Sequence, residues 1–293
     1  MERVSPEIVP QRKLSNGMVI PGIGMGTFGN DRYTSEEVSD AVYGAIEAGY
    51  RLFDCAASYG NEAEIGKVFA KAFAEGIVQR QELTIMSKVW NDMHGKGDVL
   101  VACARTLRDL RLSYLDVYMV HWPFPNYPCA GSTSGGRNPD AVPFSLEEYM
   151  TTWRQMERLV DLGLVRSIGM SNMTITKLEQ VLPLCRIKPT VLEVEINPTF
   201  QQPKLFEYCK AHDIQLIAFS PMGSPCRPER DTGRGGCGDF RTAGAEENRR
   251  GALLSSGDCL CEMGGAKRTD SDSLLNFREG VYGKSEVYDR RLP

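Results

Sequence analysis

The sequence lacks the features of a nucleic-acid-binding or membrane-spanning protein. It has 34 Lys and Arg residues against 38 Asp and Glu residues, so no basic excess exists to neutralise a phosphate backbone. No apolar run approaches the length of about 18 residues that spans a bilayer. Residues 1–12 also lack the apolar segment of a secretory signal peptide. We therefore expect no nucleic-acid partner, no membrane partner and a cytoplasmic location.

Regular cysteine spacing is missing as well. The nine cysteines are an odd number and are scattered along the chain, which predicts reduced thiols and not a disulfide framework. Cys259 and Cys261 form the one close pair, and the sequence places no His or second Cys pair beside them to complete a metal site. We expect no metal.

What the chain does have is a globular composition, with 293 residues of which 42% are hydrophobic and 25% charged. Up to about residue 228, apolar runs alternate with helix-period segments, which indicates βα units around a parallel sheet. Asn16-Gly17 predicts a hairpin before the first unit. Thr34 with Glu37 and Ser145 with Glu148 are typical of helix starts. The predicted strands are residues 22–28, 51–56, 83–90, 114–122, 165–171, 190–197 and 215–222.

Seven strands at this spacing predict an α/β fold, a (β/α)8 TIM barrel with an N-terminal hairpin. After residue 228 the pattern fails, and the sequence shows no convincing eighth strand. We therefore predict a barrel over residues 11–228 that is incomplete at its eighth strand, followed by an atypical tail over residues 229–293 that is disordered or frame-shifted. The long Pro-, Gly- and Ser-rich loop over residues 123–144 is interpreted as a substrate-covering loop.

Candidate catalytic residues stand at or just beyond three successive strand ends. Asp54 ends the second strand, and Tyr59 lies five residues further on. Lys88 lies in the third strand, and His121 ends the fourth. The carboxyl ends of barrel strands meet at one mouth, where barrel enzymes carry their chemistry. Each residue alone has a structural explanation, such as a cap, a packed aromatic or a buried polar group. Together, on successive strands, they predict a catalytic site.

Two longer strings accompany these four residues, Val165-Arg-Ser-Ile-Gly-Met-Ser-Asn172 and Ile217-Ala-Phe-Ser-Pro-Met-Gly-Ser224. With them, residues 11–228 resemble the aldo-keto reductase family, whose barrels reduce carbonyls with a nicotinamide cofactor. The resemblance implies reduction of a small-molecule aldehyde or ketone with NADPH, with NADH not excluded. It also implies cofactor contacts, at Thr27, Asp54, Ser171, Asn172, Glu193, Phe219, Ser220 and Gly223.

The resemblance assigns a role to each of the four residues. A phenol ionises near pH 10, and a neighbouring ammonium favours the phenolate, so Tyr59 is the expected acid and Lys88 the group that tunes it. Asp54 holds Lys88 charged, and His121 donates a hydrogen bond to the developing oxyanion. We expect the substrate to contact Phe28, Trp90, His121 and Trp122.

Two positions depart from the family pattern. Glu193 stands where the family usually has Gln, and an ionised Glu can accept a hydrogen bond from an amide but cannot donate one. Alternation places Glu195 on the same face of the strand. Phe219 stands where Tyr is common, and either ring can stack on a nicotinamide.

The tail departs more strongly, because the family's eighth strand and its contacts to the adenosine 2′-phosphate are not recognisable there. Codons for residues 263–273 can be chosen that, read one base over, encode Trp-Ala-Val-Gln-Asn-Gly-Gln-Ile-Pro-Ile, which resembles the eighth-strand region. We hypothesise a shifted frame after about Arg230. Three alternatives therefore remain: an active carbonyl reductase, a catalytically impaired copy, and a cofactor-binding regulatory barrel subunit.

Overall fold

Eight parallel strands form a closed barrel in the computed structural model, which describes residues 4–29, 33–125, 142–198, 200–223 and 260–264. Each strand pairs with the next along the chain, and the last pairs with the first. These strands are β3 (Ile23–Gly26), β4 (Leu52–Asp54), β5 (Thr84–Val89), β6 (Leu115–Val120), β7 (Val165–Ser171), β8 (Val191–Glu195), β9 (Gln215–Phe219) and β10 (Leu260–Gly264).

The first two strands, β1 (Gln11–Lys13) and β2 (Val19–Pro21), form the predicted antiparallel hairpin. Gly17 lies in its turn with a φ of 89°, a left-handed conformation that glycine adopts without a side-chain clash. The hairpin packs Leu14 and Ile20 into the same apolar cluster as inward residues of the barrel strands. It therefore closes one end of the barrel interior.

Six α-helices among the described residues surround the barrel, and the predicted capping signals begin two of them. Thr34 and Glu37 form a reciprocal capping box at the first helix, and the Ser145 side chain accepts a hydrogen bond from the Glu148 amide at the fourth. Gly49 ends the first helix in a left-handed conformation. The helices are α1 (Ser35–Ala48), α2 (Glu62–Ala74), α3 (Asp98–Asp109), α4 (Leu146–Asp161), α5 (Ile175–Val181) and α6 (Pro203–Ala211).

The barrel interior changes from apolar to charged along the strands. Leu52, Met86 and Val191 belong to one buried apolar cluster. Side chains two positions apart on a strand share a face, so the next inward residues on these three strands are Asp54, Lys88 and Glu193, and all three are buried. The sequence alternation therefore places three ionisable groups toward the carboxyl ends of the strands.

The barrel fold is confirmed, and the structure describes a further strand, β10, in a part of the chain where the sequence pattern shows none. The backbone of Leu260–Gly264 pairs in parallel with Ile23–Gly26 on one side and with Ile217 and Ala218 on the other. The sequence pattern does not reveal this strand because backbone N–H and C=O groups make the pairing and need no periodic apolar side chains. The remainder of the tail and most of the predicted substrate-covering loop lie outside the described residues, so both interpretations stay predictions.

Among the described residues, no helix has both the length and the apolar character needed to cross a membrane.

Candidate active site

Lys88 is the centre of the site. Its ammonium forms an ion pair with Asp54 Oδ2, lies 3.3 Å from Glu193 Oε1, and donates to the Tyr59 hydroxyl and the Cys55 carbonyl oxygen, both at 3.3 Å. Strands β4 and β5 are neighbours, with Asp54 opposite Met86 in register, so Lys88 lies one inward position further along. A buried ammonium is costly unless it is paired, and here two carboxyls supply the pairing.

Tyr59 reaches Lys88 through a tight turn after β4. Residues 57–59 form a 3-10 turn, which Gly60 ends in a left-handed conformation at φ 68°. The ring of Tyr59 lies 5.1 Å from that of Phe28 and 5.8 Å from that of His121, measured between centroids. Tyr59 is only partly buried, whereas Lys88 is fully buried. The phenol thus lies between the buried ammonium and the open mouth of the barrel.

His121 is held as a neutral imidazole. Burial, followed by the positive charge of Lys88, holds its pKa well below the usual range for histidine. Its Nδ1 atom lies 3.4 Å from Ser58 Oγ, and its ring meets that of Trp90 at 4.9 Å and 71°. When Ser58 donates to Nδ1, the ring hydrogen is on Nε2, where it can be donated to a ligand.

The end of β7 is joined to both flanking strands by Ser171 and Asn172. The Asn172 side-chain amide donates to the His121 carbonyl oxygen at 2.9 Å and to Ser171 Oγ at 3.1 Å. Its backbone N–H and the Ser171 hydroxyl both donate to the Glu193 carbonyl oxygen at 3.0 Å. Asn172 has a φ of 58°, a conformation that costs free energy in a non-glycine residue. These bonds hold Asn172 in that conformation at the barrel mouth.

Thr27 is buried and acts within the protein framework. Its hydroxyl and its backbone N–H both donate to the Asp54 carbonyl oxygen, at 2.9 and 3.0 Å. Asn61, which the sequence analysis did not identify, donates its side-chain amide to the Thr27 carbonyl oxygen at 2.8 Å. The sequence signal for Asn61 was its position, directly after Tyr59-Gly60 and directly before a helix that begins with Glu62. Thr27 and Asn61 thereby fix the end of β4, where Asp54 begins the site.

The remaining predicted contacts lie around the mouth at the ends of β3, β5, β6 and β9. Phe219 is opposite Glu195 in register, and Ser220 follows it with a φ of 49°. Gly223 closes the next turn by donating its N–H to the Ser220 carbonyl oxygen at 2.9 Å. Phe28 and Trp90 contact Tyr59 and His121 as described, and Trp122 directly follows His121. The structure therefore brings the predicted residues to one end of the barrel.

Glu193 is part of the site through both its backbone and its side chain. Burial, followed by the negative charge of Asp54, raises the pKa of Glu193 to about 8, although Lys88 opposes the shift. Glu195, the next residue on that face, is only partly buried and accepts a hydrogen bond from the Asn197 amide at 3.0 Å. The two glutamates, which alternation places on one face, thus have different surroundings.

Comparison with known proteins agrees with this arrangement. Residues 22–263 match the model of the aldo/keto reductase family. An aldo/keto reductase of Synechocystis is 45% identical over 215 residues, which cover 73% of this chain and 64% of that protein, just under two thirds of its length. An NADH-dependent D-xylose reductase of Candida parapsilosis is 41% identical over 230 residues, 77% of this chain and 70% of that protein.

A solved structure shows the same likeness in three dimensions. The crystal structure of a Bombyx mori aldo-keto reductase in complex with NADP superposes with a TM-score of 0.74 and 29% sequence identity, covering 99% of this chain and 90% of that one. Three observations point to the same family. The family model matches most of the chain, the relatives are more than 40% identical, and the barrel brings the four candidate residues together. The chain therefore belongs to the aldo/keto reductase family.

Proposed function

We propose that this protein reduces an aldehyde or ketone with hydride from NADPH, with NADH as the alternative donor, and that Tyr59 is the general acid. The observation that carries the proposal is the contact of 3.3 Å between Lys88 Nζ and the Tyr59 hydroxyl, beside a neutral His121 at the mouth of the barrel. The relative from Candida parapsilosis uses NADH, and the Bombyx mori protein holds NADP.

The described residues fit a nicotinamide cofactor. Asn172 is held in a left-handed conformation next to Ser171, and its side-chain nitrogen donates two hydrogen bonds. Among the described residues, its side-chain carbonyl oxygen has no hydrogen-bond partner and can accept one from a ligand. Phe219 offers a partly buried ring at the end of β9. We infer that Ser171 and Asn172 hold the carboxamide, that Phe219 stacks on the ring, and that Ser220 and Gly223 lie along the pyrophosphate, with Thr27 and Glu193 completing the floor.

When bound, the cofactor supplies the hydride that adds to the carbonyl carbon. The electron pair of the C=O bond then moves onto oxygen, and Tyr59 donates the phenolic proton to that oxygen. Lys88 stabilises the phenolate that remains, and Asp54 keeps Lys88 charged and in place. His121, as a neutral donor, orients the carbonyl and stabilises the developing negative charge.

The walls of the mouth are aromatic. Phe28 and Trp90 are each partly buried and each contact one of the catalytic rings. With Trp122, they form an apolar boundary that favours aldehydes or ketones with hydrophobic or flat substituents. The substrate is therefore a small carbonyl compound.

The test combines the purified full chain, NADPH or NADH, and a panel of aldehydes and ketones. Oxidation of the cofactor that depends on the carbonyl compound supports the proposal. Cofactor binding by fluorescence titration without any turnover contradicts it and favours the regulatory barrel subunit. If the chain shows no cofactor binding and no turnover, the result favours the impaired copy.

A cytoplasmic location is also proposed, since Cys55, Cys103, Cys185 and Cys209 are free thiols. Fractionation of the source cells tests it.

A further inference from the structure

Two carboxyl groups share one ammonium inside the barrel. The side chains of Lys88, Asp54 and Glu193 are 0%, 1% and 3% exposed. Among the described residues, Lys88 is the cation that pairs with Asp54 and also the one that pairs with Glu193. If both carboxyls were ionised, this buried group would carry a net negative charge. Such an excess charge is costly in a buried site, and one of the two acids responds by keeping its proton.

Unsatisfied oxygen atoms indicate where that proton is needed. Asp54 Oδ1 and Glu193 Oε2 are both buried, and neither has a hydrogen-bond partner among the described residues. Ionised carboxylates only accept hydrogen bonds, so two of them cannot satisfy each other. A protonated carboxyl has one O–H donor, and both carboxyls contact the same Lys88 ammonium, so a proton on Glu193 can be donated to Asp54. A single proton therefore neutralises the excess charge and also supplies the hydrogen-bond donor that the two carboxyls lack.

Within the part of the chain that the structure describes, no carboxyl other than that of Asp54 acts on Glu193. Its neighbours in register on β7 and β9 are Ser171 and Ile217, which do not titrate. Asp54 and Lys88 are the charged groups that act on it. Tyr59 lies beyond Lys88, and burial keeps the Cys55 thiol neutral by raising its pKa.

We infer that Glu193 is a positioning residue, a neutral acid that shares one proton with Asp54 and so keeps Lys88 directed at Tyr59. The sharing is argued from the burial, the common contact with Lys88 and the unpartnered oxygens, while its effect on turnover rests on the proposed function. When the proton is lost, Glu193 becomes a second negative charge 3.3 Å from Lys88 Nζ. The ammonium is then drawn toward Glu193, and the phenolate of Tyr59 loses part of its stabilisation. An amide at this position, as in the family pattern, cannot lose a proton in this way.

Infrared titration of the cofactor-free full chain tests the shared proton directly. A protonated carboxyl has a carbonyl band that an ionised one lacks. Glu62 is a second buried acid, and burial raises its pKa to about 7. On alkaline titration the carbonyl band of the parent should therefore decrease in two steps, one from Glu62 near pH 7 and one from Glu193 near pH 8. Glu193→Gln should remove the step near pH 8 and keep the step near pH 7, which belongs to Glu62. The matched control Glu195→Gln, on the same strand, should keep both.

Asp54→Asn supplies the second variant, and it remains informative if Glu193→Gln does not fold. Removing the neighbouring negative charge should move the Glu193 midpoint to lower pH by about one unit or more. A parent spectrum without the step near pH 8, a spectrum unchanged by Glu193→Gln, or a midpoint unchanged by Asp54→Asn overturns the shared proton.

The rate profile tests the positioning role separately. In the parent, kcat for carbonyl reduction should fall as the pH rises through about 8. In Glu193→Gln that fall should move to higher pH, with KM for the carbonyl compound little changed. If the infrared result holds and the kcat profiles coincide, the positioning role is wrong. A chain that shows no turnover contradicts the proposed function and leaves the infrared result to decide the shared proton.

Discussion

The ammonium of Lys88 and the hydroxyl of Tyr59 lie 3.3 Å apart, although 29 residues separate them in the chain. One residue lies deep in strand β5, and the other lies on a 3-10 turn after strand β4. The contact thus depends on both the pairing of the two strands and the shape of the turn. It is the basis of the first prediction.

Tyr59→Phe should lower the rate of carbonyl reduction by about 10²–10⁴-fold, since the ring stays and the proton donor is lost. The Kd for NADPH should stay near that of the parent. Steady-state rates and a fluorescence titration measure the two quantities. Tyr43→Phe, whose hydroxyl contacts Glu75 between outer helices, is the matched control and should keep the parent rate. An undiminished rate in Tyr59→Phe shows that another group supplies the proton.

His121→Ala should lower kcat by about 10²–10³-fold, the usual effect of removing a donor to an oxyanion. Cofactor affinity should change far less. Because burial and Lys88 hold the pKa of His121 well below the usual range, we also expect no step from this residue near the ordinary histidine pKa in the parent rate profile. His212→Ala, at the exposed end of α6, is the control. Equal losses of turnover and cofactor affinity would instead indicate that strand β6 has been disturbed.

Gly66→Ala should destabilise the protein by about 1–3 kcal/mol. A Cβ at this position would overlap the Asp109 carbonyl oxygen and lie 2.8 Å from the Leu110 backbone, so two helices would have to separate. Gly44→Ala is the matched comparison, since a Cβ there meets nothing within 4 Å inside α1. It should stabilise the protein by about 0.5–1 kcal/mol. Urea unfolding of the three proteins measures both effects, and equal signs would contradict the packing argument.

The coding DNA is expected to show a one-base insertion or deletion near the Arg230 codon. The basis is the abrupt loss of barrel pattern after residue 228, together with the strand-like segment encoded one base over. Backbone pairing by β10 does not depend on the side chains of that region, so it leaves the hypothesis open. Restoring the frame should give a more soluble protein with tighter NADPH binding and faster turnover. An uninterrupted frame together with a well-folded, active protein from the printed sequence would end this hypothesis.

The sequence by itself predicted seven strands of the barrel and the strand positions of three of the four central residues, whereas strand β10 came only from the structure. Alternating apolar runs predict parallel strands, and parallel strands must bring their carboxyl ends to one mouth, so Asp54, Lys88 and His121 had to converge. The hairpin turn at Asn16-Gly17 and the helix start at Thr34 are also predictable, because each depends on residues that are close together in the sequence. These features need no knowledge of which side chains meet across the interior.

Only the tertiary structure decided the contacts that cross the barrel. The sequence places Glu193 on a strand, but only closure of the barrel sets it against Lys88, three strands away, and leaves its second oxygen unsatisfied. The same holds for the Asn61 contact with Thr27 and for the neutral state of His121, which burial imposes. Periodicity specifies which face a side chain occupies, whereas its partner and its loss of solvent depend on how distant strands pack together.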